Sequence, residues 1–358
     1  MIVTDILEEK FYNAAKNILI NNLRVNELEY INHKIVFVYD MDSALSTKLS
    51  NGYIKALHEL DLWLSKREIE IINFAQIDNQ ELKDKLLSLS EWSTVVLVQS
   101  TDFRLDDFRI RLNLHNAWVG CLEHNHLQYI KDDEIENYAD ALEYKMPYYE
   151  SLANYLKSLS DKANTMTFVC HDGSKLEVSW WFEDMKLNTW NYEWKNRWGT
   201  FPIWECFTEA KIFDNVNWEL SIYAYPDDKL QVQIVEPFKI KIEQSFITYI
   251  DPNSPEEYKK LMEKISSWED NEIMLRELWF GLNNWISKQK KLSDVNAFER
   301  VAGFHLSLGK KHQIYRKKLH KDVTQRYHID IFPDIKEIYI DEVLVFTNGE
   351  YKINLINN

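Results

Sequence analysis

Short apolar runs alternate with helical patterns through the first half of the chain. The runs begin at residues 34, 69, 93 and 117 and read "KIVFVYD", "IEIINFA", "STVVLVQS" and "AWVGCL". Between them, "SALSTKLSNGYIKALHELDLWL" and "NQELKDKLLSLS" space their apolar residues as amphipathic helices do. Alternating strands and helices are typical of a parallel sheet wound with helices. Residues 1–163 are therefore predicted to form a parallel α/β domain.

Aromatic and β-branched strand patterns dominate the chain after residue 163. "NTMTFVCHDGSKLEVSWWFE" reads as a β-hairpin that turns at Asp172 and Gly173, and "YHIDIF" and "IYIDEVLVF" follow near the end. One helix, "SPEEYKKLMEKISSW", interrupts these strands. Residues 164–358 are predicted to form a β-rich α+β domain that binds metal. The expected fold class is α/β plus α+β, and 358 residues suffice for two cores.

Charge and composition exclude several partners. A net charge of -15 disfavours non-specific binding to nucleic acid or to an anionic membrane. The sequence contains no apolar stretch long enough to span a bilayer and no secretory leader pattern at residue 1. Cys121, Cys170 and Cys206 are far apart, which indicates free thiols in a reducing, cytoplasmic setting. Asp40 ends the first strand, yet no Gly-rich phosphate loop follows it, so a nucleotide site is disfavoured.

Acids and histidines in apolar surroundings are the candidate metal ligands. His328 and Asp330 lie two apart in "RYHIDIFPD", so strand alternation sends both to one face. Glu205 lies in "GTFPIWECFTEA", Glu277 in "MLRELWFGLNNW" and His305 in "VAGFHLSLGKK". Each alone also suits a structural role, such as a polar edge strand, an ion pair or a core histidine. Together they offer the carboxylate-rich donor set that two-metal hydrolases use.

Tryptophan is concentrated around the first of these acids. Seven of the 13 tryptophans lie between residues 180 and 218, including Trp198 and Trp204. The pattern allows core packing or a hydrophobic wall around a substrate. In the second case Trp198 and Trp204, together with Tyr315, are candidate substrate-binding residues.

The order of these elements resembles the metallo-aminopeptidases of the aminopeptidase T and aminopeptidase S type. The resemblance is carried by "FVCHDGSKLEVS", "FPIWECFT", "ELWFGLN", "HLSLG" and "HIDIFPDIKEIYIDEVLVF", in that order. It implies a homodimer in which Glu205, Glu277, His305, His328 and Asp330 bind two divalent ions of zinc, cobalt or manganese. His312 stands where that family has a tyrosine, with Tyr315 nearby but out of register.

A metal-dependent aminopeptidase acting on peptides is the function that follows from this resemblance. Two ions would activate a shared water, with Glu277 as the catalytic carboxylate and His312 as a donor to the developing oxyanion. An alternative is a dioxygenase that opens a dihydroxypyridine ring, with one iron(II) on His305, His328 and Asp330. A further alternative is a derivative that binds peptides without cutting them.

Overall fold

The computed structural model describes residues 2–26, 34–63, 68–100, 113–179, 182–188, 198–212, 216–268, 271–309 and 328–353. Contacts divide the chain into two compact units. The first comprises Met1–Met146 and Trp190–Ile203, and the second comprises Pro147–Thr189 and Trp204–Asn358. The predicted fold class is confirmed, because a parallel α/β sheet is followed by an antiparallel, β-rich sheet with helices. The sequence-based boundary at residue 163 stays a prediction.

The principal described elements are seven helices and eighteen strands. The helices are α1 (Ile2–Asn17), α2 (Ala44–Trp63), α3 (Asn79–Leu87), α4 (Ile135–Ala141), α5 (Met146–Ser160), α6 (Glu256–Trp268) and α7 (Val295–Phe298). The strands are β1 (Lys34–Tyr39), β2 (Glu68–Asn73), β3 (Thr94–Val98), β4 (Gly120–His124), β5 (Thr165–Cys170), β6 (Lys175–Ser179), β7 (Lys186–Asn188), β8 (Trp198–Phe201), β9 (Glu205–Glu209), β10 (Val216–Pro226), β11 (Val232–Glu243), β12 (Phe246–Ile250), β13 (Leu275–Gly281), β14 (Gly303–Gly309), β15 (His328–Pro333), β16 (Ile335–Ile340), β17 (Val343–Thr347) and β18 (Glu350–Tyr351).

The first unit is built on a five-stranded parallel sheet in the order β2-β1-β3-β4-β8. All five residues of β3 and of β4 are buried, as their unbroken apolar runs predict for strands covered on both faces. At the end of β1 the carboxylate of Asp40 accepts hydrogen bonds from the backbone N–H and the hydroxyl of Ser100, at 2.5 and 2.9 Å. Strand β8 joins this sheet from beyond residue 163.

The second unit is built on a long sheet that runs β18-β17-β16-β5-β6-β10-β15-β14-β13-β9-β7, with β11 and β12 added at β10. The predicted hairpin is present as β5 and β6, which pair antiparallel across the turn at Gly173. Consecutive antiparallel pairing brings β9, β13, β14 and β15 side by side although residues 205 and 330 are far apart in sequence. This adjacency positions the candidate site.

The three cysteines are free thiols, as expected, and all three are buried. Within the described ranges, the helices are too short or too polar to cross a lipid bilayer. The cytoplasmic location stays a prediction.

A buried histidine connects β4 to two helices of the first unit. His124 is fully buried, and its Nε2 lies 2.8 Å from the hydroxyl of Tyr53 while its Nδ1 lies 3.1 Å from the hydroxyl of Tyr138. The Tyr138 hydroxyl donates to the carbonyl of Phe201 at 3.4 Å, which leaves its oxygen to accept from the Nδ1–H of His124. Burial lowers the pKa of His124 to about 3.

We expect His124 to make stability depend on pH between about 6.5 and 3. Below the ordinary histidine pKa the unfolded chain takes up a proton that the folded ring does not, so stability is complete above that pKa and falls as the pH is lowered. Within this range the free energy of unfolding should fall by roughly 1 kcal/mol for each pH unit. Urea denaturation from pH 4.5 to 7.5 should show that the free energy of unfolding falls more steeply with decreasing pH for wild type than for His124→Gln. The other titrating groups contribute equally to both proteins. Identical slopes would contradict the neutral, buried ring.

Candidate metal centre

A row of rings crosses four neighbouring strands of the second sheet. Trp279 of β13 is opposite Phe207 of β9 on one side and His305 of β14 on the other. Directly opposed residues share a face, and the rings stack accordingly, with centroid separations of 4.1 Å to Phe207 and 5.7 Å to His305. Phe332 of β15 continues the row, 5.5 Å from His305. The row holds the His305 imidazole in a fixed orientation.

A row of polar side chains runs beside the rings on the same face. Register places Glu277 of β13 opposite Glu209 of β9 and Ser307 of β14, and Ser307 opposite Asp330 of β15. The Ser307 hydroxyl donates to the Asp330 carboxylate. The indole N–H of Trp279 donates to Glu277 Oε2 at 3.1 Å, whereas Glu277 Oε1 is buried without a recorded partner among the described residues. Three acids are therefore aligned on a buried face.

Arg300 compensates part of this negative charge. Its guanidinium donates to Glu205 Oε2 at 2.6 Å and also pairs with Glu299. Glu205 accepts a second hydrogen bond from the Asn188 amide at 2.8 Å. The backbone of Arg300 comes close to the sheet because Gly281 has no side chain: a Cβ there would lie 2.0 Å from the Val301 carbonyl oxygen.

Glu299, His305 and Asp330 form a group that can hold a metal ion. Each offers one ligand atom, and these atoms lie within 4.8 Å of one another. The Glu299 and Asp330 carboxyls are close enough for one to hydrogen-bond the other when one of them is protonated. His305 Nδ1 is buried and has no hydrogen-bond partner in the described part of the chain. Two oxygen donors and an unpartnered imidazole nitrogen suit a divalent transition metal.

Burial sets the electrostatics of the group. It raises the pKa of Glu299 to about 8, and it raises the pKa values of Glu205 and Glu277 to about 7. It also raises the pKa of Asp330 and lowers that of His305 well below the ordinary histidine value. In each case desolvation penalises the charged form. A bound cation would offset that penalty for the carboxylates, because an opposite charge favours their ionised form.

His328 lies where this group meets solvent. Its side chain is 45% exposed, whereas that of Glu277 is completely buried. Its Nδ1 is 3.7 Å from Glu277 Oε2, and its Nε2 is 3.5 Å from Asp330 Oδ1. The imidazole thus lies between a carboxylate on each side. It is adjacent to the metal-compatible group without being one of its three members.

The structure brings the predicted ligands to one face of the sheet, but their immediate neighbours differ. His305 and Asp330 belong to the metal-compatible group, His328 is beside Asp330, and Glu277 is beside His328. Glu205 is on the same sheet face, engaged by Arg300 and Asn188 as described above. Their assignment as ligands stays a prediction.

The other predicted site residues are elsewhere or outside the described ranges. Trp204 is fully buried, with a φ of 91°, and its indole stacks on Tyr149 at 4.5 Å. Trp198 begins β8 in the first unit. His312 and Tyr315 lie outside the described residues. Their roles in catalysis and in substrate binding stay predictions.

Sequence reasoning missed Glu299 and Arg300. Both follow α7, whose first turn is capped by the Asp294 carboxylate accepting from the Ala297 N–H. In "VNAFERVAG" the pair reads as an ordinary exposed Glu-Arg step after a short helix. The available signal was an acid six residues before His305, which is weak because only the chain path makes the two meet.

The chain matches no protein-family model and no curated protein. Its fold is similar to a solved structure, the 2,5-dihydroxypyridine dioxygenase from Pseudomonas putida KT2440. That similarity covers 97% of this chain and 98% of the other, with a TM-score of 0.64 and 15% sequence identity. The two proteins therefore share their fold along almost the whole length.

The prediction of a metal-dependent aminopeptidase is wrong. The end-to-end structural similarity is to a dioxygenase, which conflicts with assignment as a hydrolase or metalloprotease and agrees better with the dioxygenase alternative. The physical reason is that the same imidazole and carboxylate donors serve both chemistries, so donor type did not discriminate between them. A metal-compatible group is present, whereas two ions are not confirmed. The peptide partner, the homodimer and the family resemblance itself stay predictions.

We expect Arg300→Met to destabilise the protein by roughly 3 kcal/mol, because it leaves the buried Glu205 and the partly buried Glu299 without their cation. Glu205→Gln should cost less, since Arg300 keeps its pair with Glu299. The measurement is urea denaturation at pH 7. Lys336→Met, which removes an exposed ion pair with Glu337, is the matched control and should leave the midpoint unchanged. Equal midpoints for Arg300→Met and the control would refute this account.

Proposed function

We propose that the protein is a metal-dependent dioxygenase that opens a small hydroxylated aromatic ring. The observation that carries the proposal is the convergence of Glu299, His305 and Asp330, with His328 beside them, within a fold similar to that of the 2,5-dihydroxypyridine dioxygenase. We propose one iron(II) ion, held by His305, His328 and Asp330. Two imidazoles and one carboxylate form the donor set of non-haem iron oxygenases, which leaves positions open for reactants.

The donors present fit such an ion. His305 Nδ1 is buried and has no hydrogen-bond partner within the described chain, so an imidazole nitrogen is available to a metal ion. His328 Nε2 lies 3.5 Å from Asp330 Oδ1. One ion is favoured over two because Arg300 occupies the Glu205 end of the face, where its positive charge would repel a second dication.

The residues around the ion have separable roles in this proposal. An iron(II) ion, when bound, would supply reactivity toward dioxygen. Glu299 offers a carboxylate oxygen within 4.8 Å of the His305 and Asp330 ligand atoms and would accept the proton of a substrate hydroxyl in its ionised form, which a nearby cation favours. Glu277 orients His328, because its Oε2 lies 3.7 Å from Nδ1 of the imidazole. Trp279 and Phe332, on either side of His305, keep bulk water from the imidazole.

The test is oxygen uptake by protein loaded anaerobically with iron(II), with 2,5-dihydroxypyridine as the first substrate. We expect about one iron per chain and iron-dependent uptake. His305→Gln and Asp330→Asn should lose the iron and the uptake together. Glu299→Gln should retain iron and slow uptake by about a hundredfold, since it removes only the proton acceptor.

Lys336→Gln, remote from the donors, is the control and should behave as wild type. Tight binding of two zinc ions, or no oxygen consumption by iron-loaded protein with any dihydroxylated pyridine or benzene, would reject the proposal. Iron loss in Glu299→Gln would instead make Glu299 a ligand.

A further inference from the structure

A pocket opens in the second unit, on the other side of β14 from the row of rings. Its volume is about 350 Å³, and Ala302, Gly303 and Phe304 form part of its wall. Phe304 and His305 are consecutive in a strand, so their side chains point to opposite faces. The pocket is therefore separate from the candidate metal centre. Its size is within the range of small-molecule sites.

Three ionisable side chains are organised at this pocket around Asp334. The Asp334 carboxylate accepts a hydrogen bond from Lys288 and lies 3.2 Å from His171 Nδ1. The Asp334 carbonyl oxygen accepts from the His171 backbone N–H at 3.0 Å and is 3.1 Å from Nδ1. Because a carbonyl oxygen can only accept, Nδ1 carries a hydrogen and Nε2 is left for another partner.

The ammonium group of Lys288 is held in place and remains accessible. It lies 4.2 Å from the centroid of the buried Tyr223 ring, a cation–π contact, while the side chain is 38% exposed. His171 is 52% exposed. Their polar ends are thus available to a ligand at positions that Asp334 and Tyr223 determine. Such preorganisation reduces the entropy lost on binding.

The remaining lining determines what would complement these groups. Asn284, Ser287 and Gln289 add neutral polar groups, and among the lining residues Asp334 is the sole acid, already accepting from Lys288. Aromatic and aliphatic side chains form the apolar part of the wall: Phe304, Phe346, Ile286 and Ile335. A ligand rich in acceptors at one end and apolar over the rest matches both parts.

We infer that this pocket binds a small monocarboxylate with a planar or apolar body. The carboxylate pairs with the Lys288 ammonium, and the body packs against the apolar wall that includes Phe304 and Phe346. Charge-assisted hydrogen bonds supply orientation, and the aromatic wall supplies buried apolar area. The site requires no metal and does not depend on the proposed oxygenase activity.

Benzoate is the probe, and benzamide, with the same shape and no charge, is its control. Titration calorimetry on the full-length protein, with iron and then with excess chelator, should give the same benzoate affinity and much weaker benzamide binding. Lys288→Met should weaken benzoate by about tenfold or more, whereas Lys288→Arg should retain most of the affinity. Lys336→Met, an exposed lysine outside the pocket, should bind as wild type. Ala302→Phe should block the pocket.

Three outcomes would overturn the inference. One is no benzoate binding by wild type at about 10 mM ligand. Another is equal affinity for benzamide, because it would remove the carboxylate from recognition. The third is binding that chelator abolishes and Lys288→Met leaves intact, since the carboxylate would then be on the metal centre. Thermal melting of each variant shows whether it has folded. If Lys288→Met does not fold, the affinity of Lys288→Arg for benzoate still tests the inference.

Discussion

Buried negative charge on one face of the second sheet is the constraint to which the rest of the site responds. Glu205, Glu277 and Asp330 are all almost inaccessible to water. Carboxylates in such a place must find a cation, a proton or a set of hydrogen bonds. Arg300 supplies a cation at one end of the face, and Ser307 and Trp279 donate hydrogen bonds to Asp330 and Glu277. Burial raises the pKa values of the carboxyls, so protonation is a further way to remove the charge. A metal ion is the remaining form of compensation.

The row of rings and the row of polar side chains beside it have different parts in this arrangement. Stacked aromatic rings give His305 neighbours that cannot compete for its nitrogens. The acids beside them provide charge without displacing the rings, because residues two apart in a strand share a face. Antiparallel register therefore converts five widely separated sequence positions into one surface, and Gly281 lets the loop after α7 approach that surface closely.

Local patterns predicted much of this architecture. The strands β1 and β3 and the helix α2 agree with their apolar runs to within a residue or two, and the His-x-Asp spacing in β15 correctly indicated a shared face. Glu299 could not be found in this way, because it meets Asp330 only through the path of the chain after α7. Chemistry was harder still. Histidines and carboxylates bind several metals and support both hydrolysis and oxygenation, so a correct fold class was compatible with an incorrect reaction.

Strand β8 has a consequence for how the chain is made. It pairs with β4, whose five residues are all buried in the complete sheet, yet it follows β4 by more than 70 residues. On a ribosome, residues 1–146 emerge well before residue 201, which at ordinary elongation rates is a delay of roughly 3 to 11 s. During that interval β4 is an apolar edge strand without its neighbour, the kind of surface that chaperones recognise and that pairs wrongly with other chains. Synthesis speed between these two strands is thus a variable in the yield of folded protein.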